Sequence, residues 1–456
     1  MSTSAVPSDW QIANLEACVD ILDSQRVPVN NKERQVRIQN KAPDELHPYY
    51  GATGEVGKID GYLFDEELVA LGEDGVPFLD PRKPKAYILS GKTWVNNHAH
   101  VLKAIEGLTT NRFLLHYLNQ FDYQEYVNGG TRLKLTQANM RRMPIPVPPL
   151  AEQKVIADKL DTLLAQVENT KARLERIPPI LKRFRQSVLA AAVSGRLTEE
   201  WREHNSSQFP YKNRKLSEII HEMRNGLSPK PNEDGRGHPI LRISSVRPFS
   251  LDQIDIRHLE VSEKDKERYS LQPDDLLFTR YNGSIEFVGV CARVSQLNHD
   301  TLLYPDKLIR VRVDKAQVIP EFLEIFAASL EAREYIYSLV KSTSGQKGIS
   351  GKDLKLMKVA LPTVSEQTEI VHQVDQLFAH ADRIEQQVNN ALARVNNLTQ
   401  SILAKAFRGE LTEQWRRDNP ELIGGENSAE ALLERIKAER AAMKPVKRTR
   451  NKRTTV

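Results

Sequence analysis

The sequence holds few of the features that commit a chain to secretion, to a membrane or to a metal site. It contains only two cysteines, Cys18 and Cys291, which are far apart and form no metal-binding spacing. No apolar run reaches the roughly 18 residues that a membrane helix needs, and the N-terminal MSTSAVPSDWQ is not a signal-peptide pattern. These absences predict a cytoplasmic protein with no disulfide, no zinc site and no membrane partner.

Motifs of catalysis are also lacking. The chain has no Asn-Pro-Pro-Tyr-type base-methylation motif, no glycine-rich cofactor fingerprint and no evident nucleophile constellation. Residues 86–93, AYILSGKT, fit only a permissive phosphate-loop pattern, because Ala86 replaces the first glycine and a β-like segment follows. His98 and His100 would share one face of a strand, but no third metal ligand is identifiable. We therefore predict no catalytic residue, no metal site and no cofactor bound by this chain.

Positive charge is scarce outside the C-terminal end. The 456 residues carry a formal net charge of +5, and the last thirteen, KPVKRTRNKRTTV, hold six basic and no acidic side chains. The remainder has 59 basic and 60 acidic residues. Nucleic-acid binding by this nearly neutral body must come from local clusters or from partner subunits, with weak phosphate affinity added by the tail.

The chain does contain a long internal repeat. Residues 148–202 and 362–416 align without a gap at an offset of 214, and 18 of the 55 positions are identical. The identities include Glu152/Glu366, Gln153/Gln367, Gly195/Gly409 and Trp201/Trp415. Because this period is far too long for a solenoid, the chain consists of two copies of one large unit, each a non-repeated block followed by this segment.

Both copies have coiled-coil spacing, with apolar residues at alternating steps of four and three. The helix-pairing seam is Ile156, Leu160, Leu163, Val167 and Leu174, then Ile370, Val374, Leu377, Ile384 and Val388. The obvious partner of each seam is the other copy, about a pseudo-twofold axis. Pro178 and Pro179 should break or bend the first copy, whereas residues 366–407 can form one helix roughly 60 Å long. A dimerisation stalk and a ruler that fixes the distance between two domains are both open interpretations.

The two non-repeated blocks share an order of elements but little sequence. Turn signals and β-favouring composition predict strands, and helical spacing predicts helices. The expected strands lie in 49–75, 86–105, 238–246 and 275–294, and the expected helices in 111–127, 215–228, 320–340 and 429–443. One scaffold with two divergent faces is the pattern expected when each block binds something different.

Polar and basic loops with interleaved aromatics are the candidate binding residues. Arg, Lys, Asn and Gln pair with base edges, and Ser, Thr and Lys hold phosphates. Any one of them is more often a solvated loop residue, but both blocks place such residues in equivalent regions. The DNA-binding candidates are Tyr49, Tyr50, Lys92, Asn96, Asn97, Arg132, Lys134, Arg242, Arg280, Tyr281, Asn282, Ser284, Gln346 and Lys347.

The chain resembles the specificity subunit of type I restriction–modification systems. The strings that carry the resemblance are residues 145–175, 180–202 and 389–416. LLFTRYNGSIEFVGV and TSGQKGISGKDLK, in the second block, resemble the EcoKI-like type IA group. The resemblance spans nearly the whole chain and is weaker in residues 1–130, where members of the family diverge.

The resemblance implies an α+β chain in which two globular α/β target-recognition domains are separated by two long antiparallel coiled-coil helical regions. The expected boundaries are 1–147 for recognition domain 1, 148–202 for the central helical region, 203–361 for recognition domain 2, 362–416 for the repeated helical region, and 417–456 for a terminal helix and the basic tail.

The function implied is non-catalytic recognition of a bipartite, asymmetric site in double-stranded DNA, one half-site per recognition domain. The helices would set the gap and dock two modification subunits, which use S-adenosylmethionine to methylate adenine N6. Restriction subunits, which use ATP and Mg²⁺, would complete the nuclease. Two alternatives stay open: a coiled-coil scaffold that binds no DNA, and a phosphate-loop nucleotide-binding protein.

Overall fold

The computed structural model describes residues 6–205, 207, 209–343 and 346–443. The predicted basic tail, 444–456, lies outside these residues. The chain divides into two compact units, the first made of residues 1–175 and 390–456 and the second of residues 176–389. Both divisions fall inside the helical repeats, so each unit combines one non-repeated block with helical segments from both copies. Within the described residues, no helix combines the length and apolarity needed to cross a bilayer.

The first domain, which ends at residue 147, is built from short strands and short helices. Its strands are β1 (Gln11–Asn14), β2 (Val19–Ile21), β3 (His47–Gly51), β4 (Gly54–Ile59), β5 (Phe64–Asp65), β6 (Leu68–Gly72), β7 (Ala86–Leu89), β8 (Lys92–Val95), β9 (Ala99–Ala104), β10 (Val127–Asn128), β11 (Lys134–Leu135) and β12 (Pro144–Val147). Its helices are α1 (Leu15–Cys18), α2 (Asn31–Ile38), α3 (Asn111–Gln120) and α4 (Gln137–Arg141).

Two four-stranded sheets form the body of the first domain. One is antiparallel in the order β2-β9-β6-β7, and the other has the order β4-β3-β8-β5, with β3 and β8 parallel. Apolar residues from both sheets, including Leu68, Val101 and Val95, form one buried cluster, so the sheets pack face to face. Helix α3 covers the other face of the first sheet through Phe113 and Leu114.

The first helical repeat is broken where its prolines predict. It forms α5 (Leu150–Glu175), α6 (Ile177–Val193) and α7 (Glu199–Asn205). Pro178 and Pro179 lie in the first turn of α6, where a missing amide hydrogen costs no helical hydrogen bond. Arg176 alone separates α5 from α6.

The second domain, residues 209–361, repeats the plan of the first with different lengths. Its strands are β13 (Lys212–Lys215), β14 (Ile220–Asn225), β15 (His238–Leu241), β16 (Val246–Arg247), β17 (Ser250–Leu251), β18 (Ile256–Leu259), β19 (Leu276–Thr279), β20 (Tyr281–Asn282), β21 (Cys291–Arg293), β22 (Leu308–Val313), β23 (Lys341–Thr343), β24 (Gln346–Gly348) and β25 (Lys358–Leu361). Its helices are α8 (Glu263–Tyr269), α9 (Pro320–Ala328), α10 (Leu330–Leu339) and α11 (Gly351–Lys355).

Equivalent strands hold equivalent positions in the two domains. The sheet β14-β22-β19-β21 is antiparallel and has the same order as β2-β9-β6-β7. The antiparallel pair β13–β25 closes the second domain as β1–β12 closes the first. The sequence predicts that the two blocks share an order of elements, and the structure shows that they also share a sheet topology.

One helix prediction in the second domain is wrong, and another is confirmed except for a break within it. Residues 215–228 form strand β14 and a single 3-10 turn, because pairing with buried β22 satisfies the backbone groups and outweighs local helix propensity. Residues 320–340 form two helices, since the buried Ser329 ends α9 and its side chain caps α10 by accepting from the amide of Ala332.

The second repeat forms one uninterrupted helix. Helix α12 (Val364–Phe407) spans 44 residues and is followed by α13 (Glu413–Asp418) and by α14 (Ala429–Met443). The remaining short elements are 3-10 turns at Asp23–Gln25, Pro43–Glu45, Leu216–Glu218, Ile243–Ser245, Ile285–Phe287, Glu410–Thr412, Pro420–Leu422 and Gly425–Asn427.

The two repeats pair antiparallel, within each unit. In the first unit, Ile156 on α5 shares a core with Ile402 and Phe407 on α12, and the Lys159 ammonium donates to the carbonyl of Leu411. In the second unit, Val188 and Leu189 on α6 share a core with Ile370 and Val374 on α12. The start of each copy therefore lies against the end of the other, and every predicted seam residue is buried or half-buried.

A buried glutamate ties the two copies together in the first unit. Glu152, which is 0% exposed, accepts hydrogen bonds from the indole of Trp10 at 2.9 Å, from the Thr412 hydroxyl and from the Arg416 guanidinium. Trp10 belongs to the first domain, whereas Thr412 and Arg416 end the second repeat. The carboxylate therefore joins the two ends of the chain.

The second unit contains the same arrangement from the equivalent residues. Glu366, also 0% exposed, accepts from Thr198 at 2.8 Å, Arg202 at 2.9 Å and Tyr211 at 2.7 Å. Thr198 and Arg202 precede Thr412 and Arg416 by the 214-residue offset. The identical glutamates, threonines and arginines of the repeat are thus explained by one buried contact built twice.

The glutamine that follows each glutamate binds the domain before it. Gln153 accepts from the Thr109 hydroxyl at 2.8 Å and donates to the carbonyls of Leu108 and Pro148. Gln367 accepts from the Ile319 amide at 2.9 Å and donates to the carbonyls of Gln317 and Pro362. Each Glu-Gln pair therefore fixes its helix both to the other repeat and to its own domain.

A carboxyl group buried in the second unit makes stability depend on pH. Burial raises the pKa of Glu324 to about 7, opposed by hydrogen bonding to the Arg293 amide and by the Arg293 charge. The folded state therefore keeps a proton that the unfolded state releases near the ordinary pKa of 4.5. The contribution of Glu324 to stability is therefore greatest below pH 4.5 and is lost as pH rises from 4.5 to 7.

Glu324→Gln is expected to remove this dependence, since the amide oxygen still accepts from Arg293. Thermal unfolding should show a higher Tm for the variant than for the wild type at pH 8, and little difference at pH 5. Equal shifts at both pH values would contradict the assignment.

Candidate nucleic-acid interface

A broad concavity of about 690 Å³ opens on the second domain. Five of the seven candidates predicted there line it, and so do basic residues that were not predicted. The predicted residues are Arg242, Tyr281, Asn282, Ser284 and Gln346, and the others are Lys230, Arg247, Arg257 and Lys307. Among the described residues that line the concavity, five are basic and Asp306 alone is acidic, so its lining is positively charged.

Strand pairing brings two distant parts of the sequence together in this concavity. Tyr281 pairs with Gly348 and Asn282 with Lys347, on strands β20 and β24. The Asn282 side chain accepts from the amide of Ser284 at 3.0 Å, which fixes the turn that follows. Polar groups held on paired strands have the preorganisation that base recognition requires.

Arg280 directly precedes strand β20. Its guanidinium is 4.7 Å from the centre of the Tyr281 ring and donates to the carbonyl of Asp306, and the residue is half-buried. Its backbone amide and carbonyl bond to Lys307 and Ile349. Arg280 therefore holds Tyr281 in place as a positioning residue, and it does not line the concavity.

Two further arginines that line the concavity are held by their neighbours. Arg242 forms an ion pair with Asp255 at 3.1 Å and stays exposed. Arg247 lies 4.6 Å from the centre of the Phe287 ring. Because Arg presents a planar fork of donors, such held guanidinium groups suit bidentate contacts to guanine or to phosphate.

The first domain groups five of its predicted residues, namely Tyr50, Asn96, Asn97, Arg132 and Lys134, around one loop. Tyr50 stacks on Tyr87, with ring centres 5.5 Å apart, and its carbonyl accepts from the amide of Asn96. Burial raises the pKa of the Tyr50 hydroxyl, so it remains a neutral donor at physiological pH. Asn97 beside this loop is exposed, and Asn96 is half-buried with its side chain accepting from the amide of His98.

The basic candidates of this group are paired. Arg132 bonds to Asp74 at 3.0 Å, and the same carboxylate accepts from His98 at 2.9 Å. Lys134 bonds to Glu73 at 3.2 Å. Arg132 and Lys134 are both exposed, so a phosphate could exchange with these carboxylates.

The prediction for Tyr49 is wrong. Its side chain is 4% exposed, and its hydroxyl donates to the carbonyl of Val29 at 2.9 Å. Strand alternation explains the difference from Tyr50, because neighbours on β3 point to opposite faces. Lys92 is exposed, with its ammonium 4.9 Å from the centre of the Tyr62 ring, away from the Tyr50 loop.

The phosphate-loop alternative is contradicted by the structure of residues 86–93. They form strands β7 and β8 joined at Gly91, whose φ of +64° suits a tight turn. No helix follows, so the amides cannot converge on a phosphate as they do at a helix N-terminus. His100, which was considered as a metal ligand, is buried between the Asp23 carboxylate and the carbonyl of Leu135.

Comparison with known proteins places the chain in a family. The model for the "Type I restriction modification DNA specificity domain" matches residues 7–178 and 210–394. The EcoKI specificity subunit of Escherichia coli K12 is 49% identical over 99% of this chain and 100% of its own length. The EcoBI specificity subunit of E. coli is 41% identical over 91% of this chain and 88% of its own.

Solved structures show the same fold at low identity. A chain from a study of complex assembly and conformational transition of the type I R-M system has a TM-score of 0.62, with 17% identity, covering 90% of this chain and all of its own. The HsdS subunit from Thermoanaerobacter tengcongensis has a TM-score of 0.53, also at 17% identity, covering 90% of this chain and 99% of its own.

Two domains of one topology on paired helices, each with a group of fixed polar side chains, define the class of the DNA specificity domain. The chain belongs to the family of type I restriction–modification specificity subunits. Within that family its similarity to EcoKI runs through the whole chain, including the weakly resembling residues 1–130.

Proposed function

We propose that this chain reads a bipartite, asymmetric site in double-stranded DNA, with one half-site for each recognition domain. The observation that carries the proposal is the positively charged concavity of the second domain, where the paired strands β20 and β24 bring Tyr281, Asn282 and Gln346 together. Amide and guanidinium groups there match the donor and acceptor pattern of base edges. The two domains share one topology and differ in these faces, as two readers of unlike sequences should.

The partners are proposed on the same basis. Two modification subunits would dock on the paired helices and methylate adenine N6 with S-adenosylmethionine, and restriction subunits would use ATP and Mg²⁺. The chain itself would bind none of these cofactors. Acting on the cell's DNA, such a complex would work in the cytoplasm.

A selection from random duplexes tests the proposal. The chain, assembled with its modification subunit, is expected to enrich two short sequences separated by a fixed gap, with affinity that falls steeply with salt. If the assembled complex retains DNA regardless of sequence, or retains no DNA, the result would instead favour the coiled-coil scaffold. That alternative rests on the paired helices, which a scaffold would share.

Arg280→Ala is expected to weaken recognition of one half-site only. Loss of the guanidinium frees the Tyr281 ring, so discrimination at the bases nearest strand β20 should fall roughly 5- to 150-fold, the range of one good base contact. Competition with singly substituted duplexes measures it, and Arg268→Ala on the same domain is the control, as Arg268 lies outside the concavity. Equal loss on every sequence would mark Arg280 as a phosphate contact.

A further inference from the structure

Helix α2 is the outermost layer of the first domain. It lies on the face of the second sheet that carries Tyr49 and Trp94, opposite the face that packs on the first sheet. Arg34 lies 5.2 Å from the centre of the Tyr49 ring, and Arg37 lies 4.6 Å from that of Trp94. Lys92, two residues before Trp94 on β8, is on the same face of the sheet.

The segment that leads into α2 is fixed by the same two aromatic residues. The Trp94 indole donates to the carbonyl of Val27 at 2.8 Å, and Tyr49 donates to that of Val29. Asn30 then caps the helix, since its side chain accepts from the amide of Glu33 at 3.0 Å. Tyr49 and Trp94 therefore set the position of α2.

The side of α2 that faces the sheet is formed by arginines. Arg37 also pairs with Asp60 at 2.6 Å. Arg34 lies against Gly57, where a Cβ atom would be 2.0 Å from the guanidinium. No residue of α2 is buried, so the helix is held by charged and ring contacts in place of an apolar stripe.

The opposite face of α2 is polar, exposed and free of acidic residues. Lys32, Gln35 and Val36 on α2, with Gln39 at its C-cap, follow the spacing i, i+3, i+4 and i+7, which places them on one side of the helix. All four are exposed, and Val36 is 70% exposed. An isolated helix of this length is unstable in water, so the sheet holds it in place, and this face of the helix stays exposed within the described part of its unit.

We propose that α2 enters the DNA major groove and that Gln35 and Gln39 read bases of the first half-site. The inference rests on the proposed function and adds the reading element of the first domain. Gln pairs in a bidentate way with adenine, a methyl-bearing side chain such as Val36 fits the thymine methyl, and Lys32 suits guanine or phosphate. The major groove admits one α-helix, and an acid-free face with a cation complements its charge.

The second domain uses the equivalent segment in the same region. Helix α2 follows β2 and precedes β3, and residues 227–231 follow β14, the strand that holds the place of β2. Residues 227–231 line the concavity of the second domain. The insertion after the first sheet strand thus contributes to the proposed interface in both domains.

Gln35→Ala and Gln39→Ala test the assignment in the complex with modification subunits. Binding is measured by competition with duplexes that carry single substitutions in each half-site. Each variant is expected to lose roughly 5- to 150-fold in discrimination at one or two adjacent positions of one half-site, and to leave the other half-site unchanged. Alanine has the higher helix propensity, so unfolding of α2 would not explain such a loss.

Glu33→Ala, on the same helix but beside the reading face, is the matched control and should keep the wild-type discrimination. Unchanged discrimination in both glutamine variants, or a uniform loss across all duplexes, would overturn base reading by α2. If the wild-type complex selects a two-part site, these results argue against base reading by α2 and leave the proposed function intact. A wild-type complex with no sequence preference would overturn the proposed function itself, and the inference with it.

Discussion

Glu152→Ala is expected to destabilise the first unit by about 3–5 kcal/mol, the cost of removing one partner from a buried ion pair. The change leaves the Arg416 guanidinium and the Trp10 indole without their acceptor in a site where the carboxylate is 0% exposed. A loss of this size is a large part of the 5–15 kcal/mol that stabilises an ordinary domain. Thermal and urea unfolding, followed by circular dichroism, measure it.

Two variants serve as controls for Glu152→Ala. Glu366→Ala removes the equivalent carboxylate and should destabilise the second unit by a similar amount. Glu413→Ala removes an exposed partner of Arg417 in the same C-terminal segment and should cost at most about 1 kcal/mol. A Glu152→Ala protein as stable as Glu413→Ala would contradict the role assigned to the buried contact.

Insertion of seven residues between Asn389 and Asn390 is expected to abolish DNA modification by the complex. Helix α12 would grow by roughly 10.5 Å, while its two partner helices, α5 and α6, would remain one residue apart. One of the two antiparallel pairings must then slip by about two turns, and the carboxylate contact of that unit is lost. Mapping of N6-methyladenine in cells that make the complex measures the loss.

A compensating insertion provides the control. Seven helix-forming residues placed at Arg176, in addition to those in α12, lengthen both members of the helix pair. Modification should return, with a longer gap in the recognised sequence if the helices act as a ruler. If the complex with the α12 insertion alone still modified DNA normally, the paired arrangement would be contradicted. The helices would then be interpreted as a dimerisation stalk.

The helical half of the fold could be predicted because its signals are local. The four-three spacing of the seam, the 214-residue offset and the prolines at 178–179 predict the paired helices and the break after α5. The reason for the identical Glu-Gln pairs could not be predicted, since Glu152 meets Thr412 only across 260 residues of sequence. Strand β14 was missed for a similar reason, because its partner β22 lies about ninety positions away.

The candidate site was predictable in part. Residues 280–284 and 346–347 have interface chemistry, and strand pairing brings them together. Tyr49 was misassigned because its burial depends on contacts with Val29 and Arg34, which the local sequence does not reveal. Helix α2 was missed because its inner face consists of arginines, so the apolar periodicity of a surface helix is absent. The cap at Asn30 was the one signal that could have found it.

Methylation mapping tests the central claim most directly. The chain is produced with its modification subunit in a host free of adenine methylation, and N6-methyladenine is located by single-molecule sequencing. One new motif made of two different short sequences with a fixed gap is the expected result, and it would give both half-sites at once. An assembled, soluble complex that creates no new motif would contradict the claim that this chain directs a modification enzyme to a bipartite site.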